Sequence, residues 1–593
     1  MNFYRETPMS RLSSCAALVV VIAMGACDLN VGNPNAPDAK RAFSDPAGLE
    51  QLLSGAIRTW AQTRENYFIM PLDAQADNYT ASWNNAAMRF YSSVGSDCPI
   101  RCGWTNSSTA PEAAGGPTVE AAWYGYHTVL SSSTDVLRGI AAGTCFDDDC
   151  KTDSTLTTRN KAVGKMLQGM AIAGIAMLYD SGFTVDETTD LTNPRDLQFS
   201  NRTQMRDFAL TKFNEAYTLA GVGTWTTGQN WFGLGSGKTY SNVQIQQLIR
   251  TMQAELVALW PRNSAENTAA DWASVATYAS QGVSSGTAFD WSYYVDINAT
   301  ECGDFCIKTW GNSIGTERVD TRVAALVTTN HVDPWPSPGG NPCPTISPDK
   351  RVGDGSWGPT DNFDGYATKA ATANAGTDYA CSGVAIFPPA RGSYHQSNLA
   401  HIRYNHLAGT GERLPAGDPK CPLAAPCDGS GQDPLYTTQM NDLLWAEGLI
   451  RSGGNAATAA GLINNSRVTR GGLSALTGAE GTDSLIKALQ YEQEIEFMGQ
   501  GTDPFFNRRR SGYNAAAAGG RPQYTDGLVV NTPRQMPVPA KELDVLLKEI
   551  YTFGGPSHPD MVASTGGSAR VRSVGEIWND YLQLQRQLGK LRR

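Results

Sequence analysis

The chain has 593 residues, with 47 Lys and Arg against 57 Asp and Glu and a formal net charge of −10. Its one basic run, Arg508-Arg509-Arg510, is too short to supply the clustered positive field that phosphate backbones require, so nucleic acid is excluded as the expected partner. Charged residues make up only 18%, while 60 Gly and 31 Pro point to a loop-rich surface carried on a regular scaffold.

Arg5 and Arg11 form a positive leader, Ala16 to Met24 an apolar core, and Gly25-Ala26 place small residues before Cys27. The apolar run, about ten residues, is too short to span a bilayer. The pattern predicts a signal peptide over 1–26 and a diacylated Cys27, although Met24 stands where such sites usually carry Leu. Residues 27–44, polar and with two prolines, read as a flexible stalk, and 45–593 as a single folded domain.

Helical periodicity then recurs along the chain. Val163, Met166, Leu167, Met170, Gly174 and Leu178 keep one face, as do Ile245, Leu248, Ile249, Met252, Leu256 and Trp260, where Pro261 stops the helix. Residues 269–279 read as the antiparallel partner of the latter. Near the C-terminus, 439–452 ends at Gly453-Gly454, and Ala456, Ala459, Ala460 and Ile463 resume the helical spacing. The predicted class is mainly α, a tetratricopeptide-repeat-like scaffold of helical hairpins that presents loops.

Residues 73–118 and 285–435 resist helix assignment. They are rich in Gly, Pro, Asn, Ser and aromatics and hold eight of the ten cysteines left once Cys15 and Cys27 are set aside. Close spacing pairs Cys98 with Cys102, Cys145 with Cys150, Cys302 with Cys306 and Cys421 with Cys427, and leaves Cys343 for Cys381. Without C-x-x-C knuckles or nearby histidines, loop-pinning disulfides are expected rather than zinc, and no metal or other cofactor is. Disulfides and aromatics make these stretches ordered, disulfide-pinned excursions.

Catalytic chemistry is poorly supported. Glu447 lies on an otherwise apolar helix face, and a buried carboxylate needs partners, for which Arg467 and Arg470, one helix away, are the expected pair. Glu492, Glu494 and Glu496 alternate on a predicted helix, so most should be solvated. His395, His401 and His406 are spaced by six and five, which places no metal-binding pair on one helix face; they read as core or surface residues. Gly235-Ser-Gly237-Lys238-Thr239 lacks the first glycine of a phosphate loop, and Asp147-Asp148-Asp149 suits a solvated loop tip better than the paired carboxylates of a surface glycoside hydrolase.

Aromatics carry the stronger signal. Trp83, Tyr91 and Trp104 fall in the first excursion, and Trp291, Tyr293, Tyr294, Trp310, Trp335 and Trp357 in the second. Flat rings beside amides suit the C–H faces of sugars, so Trp83, Tyr91, Trp104, Trp291, Tyr294 and Trp310 are the expected ligand-binding residues, with Trp83, Trp291 and Trp310 foremost. The competing role of such rings is to plug small cores.

Spread over the chain are segments that resemble the SusD/RagB family of surface lipoproteins: Cys27-Asp28-Leu29 with its Asn-Pro stalk, and Asp45-Pro46 through Leu49, Leu52, Gly55 and Ala56. Met440 to Gly454 continuing to Ile463-Asn-Asn-Ser-Arg467-Val-Thr-Arg470 is similar to the family's most recognisable hairpin. Glu492 to Phe497, then Asp503-Pro-Phe-Phe506-Asn-Arg508-Arg509, and finally Arg534-Gln-Met-Pro537-Val-Pro539 follow in the family's order, although Gln500, Gly501, Thr502 and Pro504 depart from it. The resemblance implies a non-enzymatic nutrient-binding protein, lipid-anchored to the outer membrane and facing the cell exterior. In that family the convex side of the helical scaffold docks on a SusC-like TonB-dependent transporter, and inserted loops bind the ligand, most often a glycan or oligosaccharide and alternatively a peptide.

Overall fold

The computed structural model describes residues 44–66, 68–81, 88–92, 101–108, 118–147, 154–193, 196–233, 237–287, 289–295, 317–331, 346–352, 376–381, 397, 399–401, 403–404, 431–514 and 527–555. The first half runs α1 (Pro46–Glu65), α2 (Met70–Gln75), β1 (Tyr79–Ala81), α3 (Met88–Ser92), α4 (Thr118–Ala141), α5 (Thr155–Leu178), β2 (Ser181–Gly182), β3 (Ser200–Asn201), α6 (Arg202–Ala220), α7 (Asn242–Leu259), α8 (Ser264–Thr268) and α9 (Trp272–Ser280). It continues with β4 (Trp291–Val295), β5 (Glu317–Val319), α10 (Thr321–Val327), β6 (Tyr379–Cys381), β7 (Leu399–His401) and β8 (Gly431–Tyr436). Last come α11 (Thr438–Ser452), α12 (Ala456–Arg467), α13 (Thr482–Glu496), α14 (Asp503–Arg509), β9 (Tyr513–Asn514), β10 (Leu528–Val529) and α15 (Ala540–Val545).

Local chemistry sets the helix ends. Asp45 caps α1 by accepting from the Ala47 amide, with Pro46 in the first turn. Reciprocal capping boxes start α6 (Asn201 with Gln204) and α7 (Ser241 with Gln244). Helix α11 stops where Gly453 takes a left-handed φ of 74°. The five helices predicted by periodicity are all present, and α9 starts later than expected because Asp271 caps it, accepting from the Ser274 amide.

Helices pack largely on their chain neighbours: α4 on α5, α5 on α6, α6 on α7 and α11 on α12, while α1 lies on α4 and α9 bridges α7 and α11. Their inward faces merge into one core containing Leu49, Trp60, Trp123, Met166, Phe213, Leu248 and Met440. A second, smaller core lies under the excursions, where Tyr79, Val319, Val323, Tyr379 and Leu399 meet Ile495 and Met498. The stretches read as long irregular loops thus carry helices α2, α3 and α10 and most of the strands. No described helix is long and apolar enough to cross a membrane.

Candidate functional site

The two excursions leave the scaffold at neighbouring, strongly tied roots. Strand β4 pairs antiparallel with β8, Tyr293 opposite Asp433 and Val295 opposite Gly431, with an irregularity between Trp291 and Ser292. The Tyr294 amide donates to the carbonyl of Phe232 at 2.8 Å. Gly233 follows at φ +105°, and a Cβ there would meet the Tyr294 carbonyl oxygen at 2.3 Å, so only glycine fits against this ladder. Strand β1 of the first excursion pairs antiparallel with β5 of the second, Tyr79 opposite Val319, and the Asp320 amide donates to Asn78 at 2.9 Å. Strands β6 and β7 add a third antiparallel pair.

A charged cluster fastens β8 to the helices. Arg64 reaches Asp503 at 2.8 Å, Glu255 at 2.9 Å and the Tyr436 hydroxyl at 3.1 Å, and that hydroxyl donates to Glu255 at 2.5 Å. Burial and then the adjacent Glu255 push the Asp503 carboxyl up, against the pull of Arg64.

Helix α13 is the electrostatic hub below the second excursion. Arg351, fully buried, bonds Asp349 at 2.7 Å, Glu492 at 2.7 Å and Ser466 at 2.8 Å. Glu496 is met by Arg403 at 2.8 Å and by Arg470, which also grips Asp378 at 2.6 Å. Burial alone would raise Glu496; the three arginines overcome it and hold the carboxyl far below its usual range. Glu494, on the other side of the helix, joins Arg322 and Arg508, each at 2.9 Å. All three carboxylates are buried, which corrects the expectation that most would be solvated: their cations come from distant segments and not from their own helix.

Glu447 is paired as expected of a buried carboxylate, but with other partners than Arg467 and Arg470. Arg510 and Arg451 each approach at 2.6 Å, and Gln493 donates at 2.8 Å. Arg467 instead lies 3.6 Å from Glu492. These carboxylates are paired with cations from other segments and so hold those segments together. Among the described residues no group of His, Cys, Asp and Glu is placed to hold a metal ion. His401 sits in the small core, 2.6 Å from the Tyr79 hydroxyl and ringed by Tyr379 and Tyr404, and burial lowers it to about 3. His395 and His406 lie outside the described residues.

The predicted aromatic platform divides. Tyr91, Trp104 and Trp291 are 0%, 3% and 0% exposed. Trp291 packs against Trp60 and Phe232, each with ring centroids 5.4 Å away. Trp104 lies 4.8 Å from Tyr91, and its indole donates to the Gln535 carbonyl at 2.8 Å. Rings without an open face cannot stack on a ligand, so these three are corrected to core plugs that tie the roots to the scaffold; the local composition that suggested platforms fits both roles. Tyr294 is half-buried on the β4 ladder. Trp83, Trp310, Trp335 and Trp357 lie outside the described residues, as do Cys27, Cys98, Cys150, Cys302, Cys306, Cys343, Cys421 and Cys427. Cys381 is described by its backbone alone, and Cys102 and Cys145 are disulfide-bonded.

Sequence reasoning missed Arg351 and the Arg64 cluster. Asp349-Lys350-Arg351, a charged triplet inside a weakly charged excursion, was the available signal for the first; nothing local marks the second.

No family model matches the chain, and no curated protein matches its sequence. Solved structures do. A SusD superfamily protein from Bacteroides vulgatus superposes with a TM-score of 0.51 at 12% identity, covering 85% of this chain and 97% of that one. Another, from Parabacteroides distasonis, gives 0.50 at 9% identity over 84% and 97%.

Proposed function

From a SusD-superfamily fold over most of the chain, we propose that this protein is a non-enzymatic nutrient-binding lipoprotein of the cell surface, which captures a glycan or oligosaccharide and delivers it to a SusC-like TonB-dependent outer-membrane transporter. The observation that carries the reading is the match over 97% of a SusD superfamily structure, joined to two excursions rooted side by side on the helical scaffold. That scaffold is repeat-like, its excursions are pinned by four of the five disulfides paired above, and the fifth, Cys145 with Cys150, closes a loop between them. Cys27 carries the lipid, residues 1–26 are removed on export, and 27–44 form the stalk. The protein meets the membrane through that lipid alone and takes no nucleic acid.

With Tyr91, Trp104 and Trp291 in the core, Trp83 and Trp310 carry the binding, with Tyr294 at its edge. Each change of Trp83 or Trp310 to Ala should lower affinity by about 1–3 kcal/mol with little loss of stability. The deciding experiment titrates the protein calorimetrically against a panel of glycans and peptides and assays the same mixtures for cleavage. Glycan binding without product is expected; binding of peptides alone replaces the ligand class, and product formation overturns the non-enzymatic reading. Changing Cys27 to Ala should release the protein to the soluble exported fraction, and membrane retention in cells lacking the transporter would refute the anchor.

A further inference from the structure

The Arg64 cluster at the foot of β8 is short of one hydrogen atom. Arg64, Glu255 and Asp503 are 5%, 5% and 0% exposed, and both carboxyls sit against the same guanidinium nitrogen, Nη2, at 2.9 and 2.8 Å. That nitrogen donates to Asp503 Oδ2, and the Tyr436 hydroxyl donates to Glu255 Oε2. The other two oxygens, Glu255 Oε1 and Asp503 Oδ1, are buried and accept no hydrogen bond. Yet the two carboxyls lie within hydrogen-bonding reach of each other. Ionised carboxylates offer only acceptors, so such a contact closes only when one oxygen carries a proton.

Arg64 has no room to move aside and relieve the pair. Its guanidinium lies over the rings of Trp60 and Tyr436, 5.6 and 4.7 Å from their centroids. Gly501, at φ +58°, presses on the Arg64 stem so closely that a Cβ there would meet Cγ at 2.7 Å. Among the described residues no other cation forms an ion pair with either carboxyl. The basic run is spent elsewhere: Arg508 on Glu494, Arg509 on the carbonyls of Met177, Arg534 and Leu259, and Arg510 on Glu447. The remaining titratable groups facing the pair are Glu65 of α1 and Tyr126 of α4, and Asp73 is buried on α2, which packs against α14. None of them brings positive charge.

We propose that Asp503 holds a proton at neutral pH and donates it to Glu255, so that the pair carries one negative charge against Arg64, and that this proton latches β8 to α1, α7 and α14. The alternative sets two negative charges against one positive in a site closed to water, which leaves a buried charge without a partner. When base removes the proton, repulsion drives the carboxylates apart, and Glu255 draws with it the hydroxyl of Tyr436, the last residue of β8. An unfolded chain releases the aspartic proton near 3.8, while the folded pair keeps it to higher pH. The folded state therefore binds the extra proton, and its equilibrium constant falls about tenfold per pH unit above that value until the pair lets go.

The test uses the full chain. Infrared difference spectra at pH 7, unmodified protein minus Asp503→Asn, should show the carbonyl band of a protonated carboxylic acid, and Glu255→Gln should lose the same band although Asp503 is intact. Hydrogen exchange reads the latch. In the unmodified protein the protection of 431–436 relative to α5 should fall about tenfold once the pH at which the band vanishes is passed. In Asp503→Asn, whose side-chain amide donates to Glu255 at any pH, that ratio should stay constant. Absence of the acid band at pH 7 overturns the proposal, and a band that persists in Glu255→Gln overturns the sharing, since burial alone would then protonate Asp503. Equal loss of 431–436 protection in Asp503→Asn overturns the latch. Should Asp503→Asn fail to fold, the spectrum of Glu255→Gln against the unmodified protein decides the shared proton by itself.

Discussion

Removing the charge of Glu447 would leave the Arg510 guanidinium buried without its carboxylate. Burial favours the neutral form of Glu447, but Arg510 and Arg451 outweigh it and hold the carboxyl at about 2, from an ordinary value of 4.5. Because the folded value is depressed, the pair's contribution is complete above about 4.5 and is lost as pH falls toward 2. Glu447→Gln should therefore cost about 3–5 kcal/mol at neutral pH, read by urea denaturation, since Arg510 is stranded. Adding Arg510→Met should restore a large part of that loss. Trp291→Ala should cost about 3–5 kcal/mol because the ring fills a site between Trp60, Phe232 and Tyr436. An unchanged melting temperature would return Trp291 to the surface role that its sequence context first suggested.

Among the elements, the β4 and β8 ladder shows what the sequence could and could not reveal. Helices α5, α7 and α11 announce themselves through periodicity, caps and the Pro261 and Gly453 stops, all of them local signals. The strands are two to six residues long and pair with partners far away, as β1 does with β5, so no local pattern marks them. For the same reason the aromatics of the excursions read as platforms when three of them are plugs, and the α13 carboxylates read as solvated when Arg351, Arg322 and Arg403 neutralise them. The ladder also has one conformational weak point. Gly233→Ala forces a side chain onto φ +105° and into the Tyr294 carbonyl, and the backbone term alone is about 1–3 kcal/mol. Hydrogen exchange should show residues 291–295 and 431–436 losing protection before α5 does; uniform loss across the fold would mean that the ladder is not a separate unit.

For the molecule as a whole, two histidines, His401 buried and His127 half-buried, set the onset of acid sensitivity. Burial lowers His127 to about 4, opposed by its bond to the Trp123 carbonyl, and lowers His401 to about 3, opposed by the charge of Asp378. Both stay neutral in the folded protein while the unfolded chain takes up protons below 6.5. Stability is thus full well above that pH and should fall most steeply near pH 5, by up to about 2.7 kcal/mol per pH unit, where the unfolded chain holds both protons and the folded protein neither. Denaturation curves at pH 7.5, 5.5 and 4.5 check this, and a stability flat across that range would show that the histidines titrate alike in both states.

The ties that fasten the second excursion recur along it: the β4 and β8 ladder, the β1 and β5 pair, Arg351 against α13, and His401 beside Tyr79. Each stretch between two ties closes its own loop, and doubling such a loop costs only about 0.6 kcal/mol in closure entropy. Insertions in one stretch leave the fastening of the next untouched. The length of each stretch can therefore vary without disturbing the others, so an engineer can graft a foreign loop between two ties without redesigning the helices beneath.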